Sequence, residues 1–330
     1  MQPLTEQLLH CALPDLPLPA ALRPHWLAEG VLQLTPQHAP PRAVVVSAGI
    51  HGNETAPIEL LLQLLAEIGS GALRPETALL LVFGNLPAMR ANRRYLHHDM
   101  NRLFGGRHRN APRSHEATRA AELERVTADF FAQADAPETE RWHLDMHTAI
   151  RGSRYPQFAL VPYHAHPYHP PFFDMLAAAE LDAVVQHSAA GGTFSHFVSE
   201  AFQAQSCTLE LGKARPFGRN DLPQFAATGA MLRALITGAP LPARQKPPVQ
   251  HFTVAESIIK TSEHFTLNLP DEAENFTCLP PGYEIAHQPD RCWRVGDTAR
   301  HILFPNAGVA PGLRAGLLLA PGAPRLSLSE

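Results

Sequence analysis

The chain has 330 residues, too many for a minimal module and about right for one large domain with a smaller one; at 45% apolar it has enough material for a sizeable core. The net charge is −4 with histidine neutral and the cationic residues form no basic patch, which argues against nucleic acid as a partner. A charged small ligand then has to be recognised by a few placed groups rather than by the field of the whole molecule.

Residues 1–40 are rich in Pro and Leu and read as an N-terminal extension with one short strand at 30–35. The clearest element comes next. Ala43-Val-Val-Val-Ser-Ala48 is a continuous β-branched run, the pattern of a strand covered on both faces. It passes through the turn Gly49-Ile-His-Gly52 into a helix over 54–68, where Ile58, Leu61, Leu62 and Leu65 recur at helical spacing. A second buried strand over 78–83 completes a strand–helix–strand unit, hence a parallel α/β sheet. The pattern continues with a helix over 114–133, strands over 142–146 and 157–161, a helix over 171–181, a strand over 206–211 and a helix over 224–237. The Pro-rich stretch 238–248 reads as a linker, and the short alternating segments 252–259, 299–304 and 313–319 as a small β domain. The expected division is a larger α/β domain over 1–240, counting the extension 1–40, and a β-rich domain over 249–330.

Cys11, Cys207, Cys278 and Cys292 form no C-x-x-C pair, so they read as reduced thiols rather than a disulfide framework or a zinc knuckle. Met1-Gln-Pro-Leu-Thr-Glu6 lacks a basic segment leading into an apolar core, and no run of about 18 apolar residues occurs. No secretory leader and no membrane span are expected, and the cytoplasm is the default location.

Chemistry-bearing residues stand where α/β folds place their sites, at the carboxyl ends of strands. His51 and Glu54 leave the first buried strand as His51-Gly-Asn-Glu54, and His147 ends the strand Trp142-His-Leu-Asp-Met-His147. Two histidines and one carboxylate form the ligand set of a catalytic zinc, with a fourth position open, and suit a single ion. The competing reading makes His51 a helix cap and His147 a satisfied loop residue, since 19 histidines make chance pairs common. The denser cluster His164-Ala-His-Pro-Tyr-His169 is interrupted by proline and has no carboxylate close by, and reads as a polar loop. Glu210 ends the strand Cys207-Thr-Leu-Glu-Leu211, and a carboxylate there needs a role or a partner. As general base it would take a proton from water and hand it to a leaving amine; as a structural group it would pair with Lys213 or Arg215. Arg90, Arg93, Arg94 and Arg102 crowd the segment after the second strand as cationic anchors for an anionic substrate, or as solvated loop charges.

Four motifs in this order, His51-Gly-Asn-Glu54, Asp99-Met-Asn-Arg102, Asp145-Met-His147 and Leu209-Glu-Leu-Gly212, resemble the succinylglutamate desuccinylase/aspartoacylase family over roughly residues 43–305. The resemblance implies a zinc-carboxypeptidase-like fold: an α/β domain with a mostly parallel or mixed sheet flanked by helices, followed by a smaller C-terminal β domain. It implies one Zn2+ per subunit on His51, Glu54 and His147, Glu210 as catalytic glutamate, and Arg94, Asn101 and Arg102 as substrate-binding residues. Gly192-Thr-Phe-Ser-His-Phe197 and Thr208-Leu-Glu-Leu-Gly-Lys-Ala-Arg-Pro-Phe-Gly218 are most similar to the desuccinylase branch of the family. The implied reaction converts N-succinyl-L-glutamate, a small anionic substrate, into succinate and L-glutamate, the last step of the arginine succinyltransferase pathway. His196 and Glu200 stand where aspartoacylases carry a Tyr and an Arg, which counts against N-acetylaspartate. An aspartoacylase-like or carboxypeptidase-like enzyme for another N-acyl amino acid and a non-catalytic binding protein of the same fold are the alternatives; oligomeric state is not readable.

Overall fold

In chain order the computed structural model begins with helix α1 (Gln2–His10), strands β1 (Leu22–Ala28), β2 (Val31–Pro36) and β3 (Arg42–Ala48), helix α2 (Thr55–Gly69), strand β4 (Ala78–Phe83) and the short helix α3 (Leu86–Arg90). Helix α4 (His115–Gln133), strands β5 (Glu140–Ala149) and β6 (Gln157–Val161), helix α5 (Pro170–Ala178), strand β7 (Ala183–Gln186), helix α6 (Phe194–Phe202), strand β8 (Gln205–Lys213) and helix α7 (Ala226–Thr237) follow. After α7 every regular element is a strand: β9 (Gln250–Ile259), β10 (Thr266–Leu267), β11 (Thr277–Leu279), β12 (Glu284–Gln288), β13 (Arg291–Arg294), β14 (Arg300–Leu303) and β15 (Arg314–Pro321). The structure describes residues 2–10, 18–38, 40–134 and 138–324, so Cys11 lies outside them.

Twelve strands form one mixed sheet in the order β1-β2-β4-β3-β5-β8-β6-β7-β9-β15-β14-β11, and β10-β12-β13 form a second, smaller one. Strands β4, β3, β5 and β8 run parallel to one another at its centre, β6 is antiparallel to β8, and β7 runs parallel to both β6 and β9. The residues of β3 explain the continuous apolar run. Val44 and Val46 pack on one face with Ile58, Leu61 and Leu65 of α2, whereas Ala43 and Val45 pack on the other with Leu123, Val126 and Phe130 of α4. A strand sandwiched this way cannot alternate.

The C-terminal strands have a core of their own around Ile258, Ile285, Trp293 and Ile302. A further cluster joins Phe158, Ala183 and Val185 of β6 and β7 to Phe252, Leu317 and Leu319 of β9 and β15. The Pro-rich stretch after α7 carries no regular structure but is tied down. Arg244 donates to the Ala177 and Leu181 carbonyls, each at 3.0 Å, and Lys246 Nζ lies 2.9 Å from Asp182 Oδ1.

Two expectations on extent are corrected. His147 and Glu210 do not end their strands: Ala149 pairs with Lys213, and β6 pairs along β8 as far as Leu211, so both strands continue past the site. Helix α5 stops at Ala178 because Glu180 takes a left-handed φ of 57°, which turns the chain into β7. Among the described residues no helix is long and apolar enough to cross a membrane.

Candidate metal centre

Between β3 and α2 the backbone turns at Gly49, φ 71°, where an added Cβ would overlap Met89 Cε. Gly52 serves a different need from tightness of the turn: it lets α3 come close. A Cβ at Gly52 would lie 2.3 Å from backbone atoms of Ala88 and Met89, and the Gly52 N–H donates to the Arg94 carbonyl at 3.1 Å. Glu54 holds the N-cap position of α2 but makes no capping bond, which leaves its carboxylate free to face inward.

That carboxylate sits between two imidazoles. Glu54 Oε1 is 2.9 Å from His51 Nδ1 and Glu54 Oε2 is 2.9 Å from His147 Nδ1. The three residues are buried and offer ligand atoms that all lie within 4.8 Å of one another, so the group could hold a metal ion. The donor chemistry fits: two imidazole nitrogens and a carboxylate oxygen, all from buried residues on two segments.

The outer nitrogen of each ring is also held. Asp99 Oδ1 lies 2.9 Å from His51 Nε2 and Asp145 Oδ2 lies 3.0 Å from His147 Nε2. A carboxylate on the far nitrogen orients an imidazole and raises its basicity toward a metal. Asp145 is itself fixed by Ser47, its register partner on β3, whose Oγ donates to Asp145 Oδ1 at 2.6 Å. Burial disfavours charge on Glu54, but His51 and His147 outweigh it and hold its pKa well below the carboxylate range. Asp99 follows the same pattern, held down against burial by His51, Arg102 and Arg94.

Glu210 lies on β8 directly opposite His147 in the parallel register. Its Oε2 is buried without a hydrogen-bond partner, and no salt bridge forms to Lys213 or Arg215, which are both exposed. Burial pushes its carboxyl up to about 7, with Glu54 adding to the rise and His147, Arg94 and His51 opposing it. A carboxyl at that value is suited to take and return a proton near neutral pH.

The loop carrying the candidate substrate residues is clamped by Glu116 of α4. Its buried carboxylate accepts from the Leu96 N–H at 2.7 Å, the His97 N–H at 3.3 Å and Asn85 Nδ2 at 3.4 Å. Arg94 Nη1 donates to Glu54 Oε1 at 2.8 Å. Asn101 gives its side-chain carbonyl to the Phe194 N–H at 2.9 Å, tying the loop to the start of α6, while its Nδ2 stands 3.5 Å from His147 Nε2. Arg102 is exposed and donates to the Asn101 carbonyl at 2.8 Å. All seven residues singled out in the sequence thus gather in one region. Arg90 binds Glu29 instead, and Arg93 is exposed. His164, His166 and His169 belong to no metal-competent group among the described residues. His196 and Glu200 face each other on α6 at 3.1 Å.

Sequence reasoning gave Asp99, Asp145 and Glu116 no role. Asp145 left a usable signal, since a residue two before His147 on a strand shares its face. Asp99 and Glu116 left none, because only the folded loop brings them in.

Residues 40–236 match the family model for the succinylglutamate desuccinylase/aspartoacylase catalytic domain, and residues 247–322 match that for the AstE/AspA barrel-sandwich hybrid domain. The succinylglutamate desuccinylase of Photorhabdus laumondii is 53% identical over 306 residues, 92% of this chain and 94% of that protein. The crystal structure of the succinylglutamate desuccinylase from Chromobacterium violaceum is similar with a TM-score of 0.83 at 39% identity, covering 97% of each chain. That of the Vibrio parahaemolyticus enzyme gives 0.88 at 31% identity, covering 96% of this chain and 94% of the other.

Proposed function

This chain belongs to the succinylglutamate desuccinylase/aspartoacylase family, and from that membership we propose that it hydrolyses N-succinyl-L-glutamate to succinate and L-glutamate, with one zinc ion per chain. Relatives named for desuccinylation at 53% identity support a hydrolase acting on an amide. The proposed reaction is the last step of the arginine succinyltransferase pathway.

The observation that carries it is Glu210, a buried, unpaired carboxylate beside the one His-Glu-His group found among the described residues. His51, Glu54 and His147 would hold the ion. Bound there, zinc supplies Lewis acidity for the scissile carbonyl and its attacking water. Glu210 takes the proton of that water and returns it to the amide nitrogen, so that the C–N bond breaks and glutamate leaves as an amine. Arg94 and Arg102 present positive charge to the substrate carboxylates, and Asn101 keeps their loop against α6. We assign this chemistry to a catalytic domain over 1–240, with 1–40 as its extension, and treat 249–330 as the β-rich domain; the two family models meet in the same stretch.

The test is an assay of metal-analysed protein on N-succinyl-L-glutamate, N-acetylaspartate and N-acetylglutamate side by side. Preference for the succinyl substrate with about one zinc per chain supports the reading. Preference for an acetylated amino acid sinks it in favour of another amidohydrolase of the family.

A further inference from the structure

Beneath the metal centre the sheet holds a polar chain that the proposed chemistry does not use. Strand period puts His143, Asp145 and His147 on one face of β5. The parallel register sets Ser47 of β3 beside Asp145 and Ser206 of β8 beside His143. His143, Asp145, Ser47 and Ser206 are all fully buried. The apolar cluster on that side includes Val45, the register partner of His143, and Phe194, whose ring meets the imidazole at 4.6 Å between centroids. An imidazole in such a place is costly unless its nitrogens are satisfied. Both are: Nε2 lies 3.0 Å from Ser47 Oγ and Nδ1 lies 3.1 Å from Ser206 Oγ.

Counting hydrogens gives the chain a direction. Ser47 has a single hydroxyl hydrogen and donates it to Asp145 Oδ1 at 2.6 Å. At its contact with His143 it can therefore only accept, so Nε2 carries the ring hydrogen. Burial pushes His143 down to about 4, so the ring is neutral near pH 7 and its Nδ1 is a bare acceptor. The hydroxyl that faces Nδ1 is that of Ser206, whose Oγ also stands 2.8 Å from the Ser195 carbonyl. That carbonyl lies inside α6, where the helix supplies a donor of its own. Hydrogens thus run from Ser206 to His143, from His143 to Ser47 and from Ser47 to Asp145. The chain ends on Oδ1, and the other oxygen of the same carboxylate faces Nε2 of His147 at 3.0 Å. Donors aligned in this way strengthen one another.

We propose that His143 is a positioning residue for the metal centre: acting through Ser47, it holds the Asp145 carboxylate in the orientation that receives the His147 ring, and so raises the affinity of the site for its metal. The proposal rests on the reading of His147 as a zinc ligand.

It is tested in the full-length chain by competition for zinc with a chelator. His143→Phe keeps a ring and loses both nitrogens, and its zinc affinity is expected to fall about tenfold, at the low end for partners outside the ligand set. His143→Gln, whose amide offers a donor to Ser47 and an acceptor to Ser206, recovers most of the loss. Ser47→Ala should weaken zinc binding as His143→Phe does, and adding His143→Phe to it should cost nothing more, because the link is already broken. A purely structural histidine would instead lower the melting temperature at unchanged zinc affinity. Wild-type zinc affinity in His143→Phe, or losses that add in the double variant, overturn the proposal. Should His143→Phe not fold, nitrogen NMR of histidine-labelled wild type decides: a neutral ring with its hydrogen on Nε2 is expected at pH 7, and a hydrogen on Nδ1 overturns the chain. A wild type that binds no zinc defeats the ligand reading and this proposal with it. A wild type that binds zinc no more tightly than His143→Phe defeats this proposal alone.

Discussion

Asp145 Oδ2 stands 3.0 Å from Nε2 of His147, two residues along the same face of β5. The strand period puts both side chains on one face, and Ser47 pins the carboxylate from the next strand. Asp145→Asn keeps the shape but removes the charge that holds the ring. Zinc affinity is expected to fall about 10- to 100-fold, measured by competition with a chelator. His147→Ala should lose both metal and activity; if it retained stoichiometric zinc, the ligand assignment would be wrong.

Glu210→Gln is expected to retain zinc and substrate binding while turnover falls by about 10²–10⁴-fold, since an amide cannot accept the proton of the attacking water. Turnover within tenfold of wild type would make Glu210 a structural carboxylate.

Arg102→Ala and Arg94→Ala are expected to lower kcat/KM by roughly ten- to a thousandfold. They should separate in one respect. Arg94 contacts Glu54, a proposed ligand, at 2.8 Å and its loss should also disturb zinc content, whereas Arg102→Ala should leave it unchanged. Metal analysis beside kinetics checks both, and unchanged efficiency in both variants would make them ordinary charges.

Gly52→Ala places a Cβ 2.3 Å from the backbone of Ala88 and Met89, atoms that no side-chain rotation can clear. Overpacking of this kind typically costs about 1–3 kcal/mol or more, and here it also pushes away the loop that carries Arg94. A lowered denaturant midpoint with reduced zinc retention is the expected result; a variant as stable as wild type would contradict the close approach.

Stability should fall with acid in a way that His187 helps to set. Burial, then Arg314, His196 and Arg102, push its pKa from 6.5 to about 3 in the folded chain. The unfolded chain therefore binds the proton first, so the contribution is complete above about pH 6.5 and disappears progressively toward pH 3. Denaturant midpoints of wild type and His187→Asn, compared from pH 7 to pH 4, should converge as pH falls. Parallel curves would show that His187 titrates normally.

The strands β3, β4 and β8 and the residues attached to them were legible because a strand covered on both faces cannot hide its apolar run. Strand β1 was not: it is the edge of the sheet, carries Pro24, and with one buried residue in seven its sequence follows no alternation. Strand β7 has only four residues, too few for a period to register. In the site, His51, Glu54, His147 and Glu210 could be read because each is tied to a strand visible in the sequence. Glu116 could not be, since it meets the Leu96 and His97 N–H groups only once that loop has folded onto α4, and nothing local encodes that.

The unbroken run of strands from β7 through β9 to β15 makes the two parts of this molecule hard to separate in the laboratory. Cutting the gene after α7 would strip β9 from β7 and leave the peptide groups of a fully buried strand unpaired along a new rim, with Phe158 and Val185 of the shared core laid open beside it. Such a rim is a template for adding another chain. The shortened protein is therefore expected to self-associate into insoluble material rather than to survive as a smaller enzyme, and swapping the C-terminal segment with that of a relative should succeed only if the incoming first strand matches β7 in register.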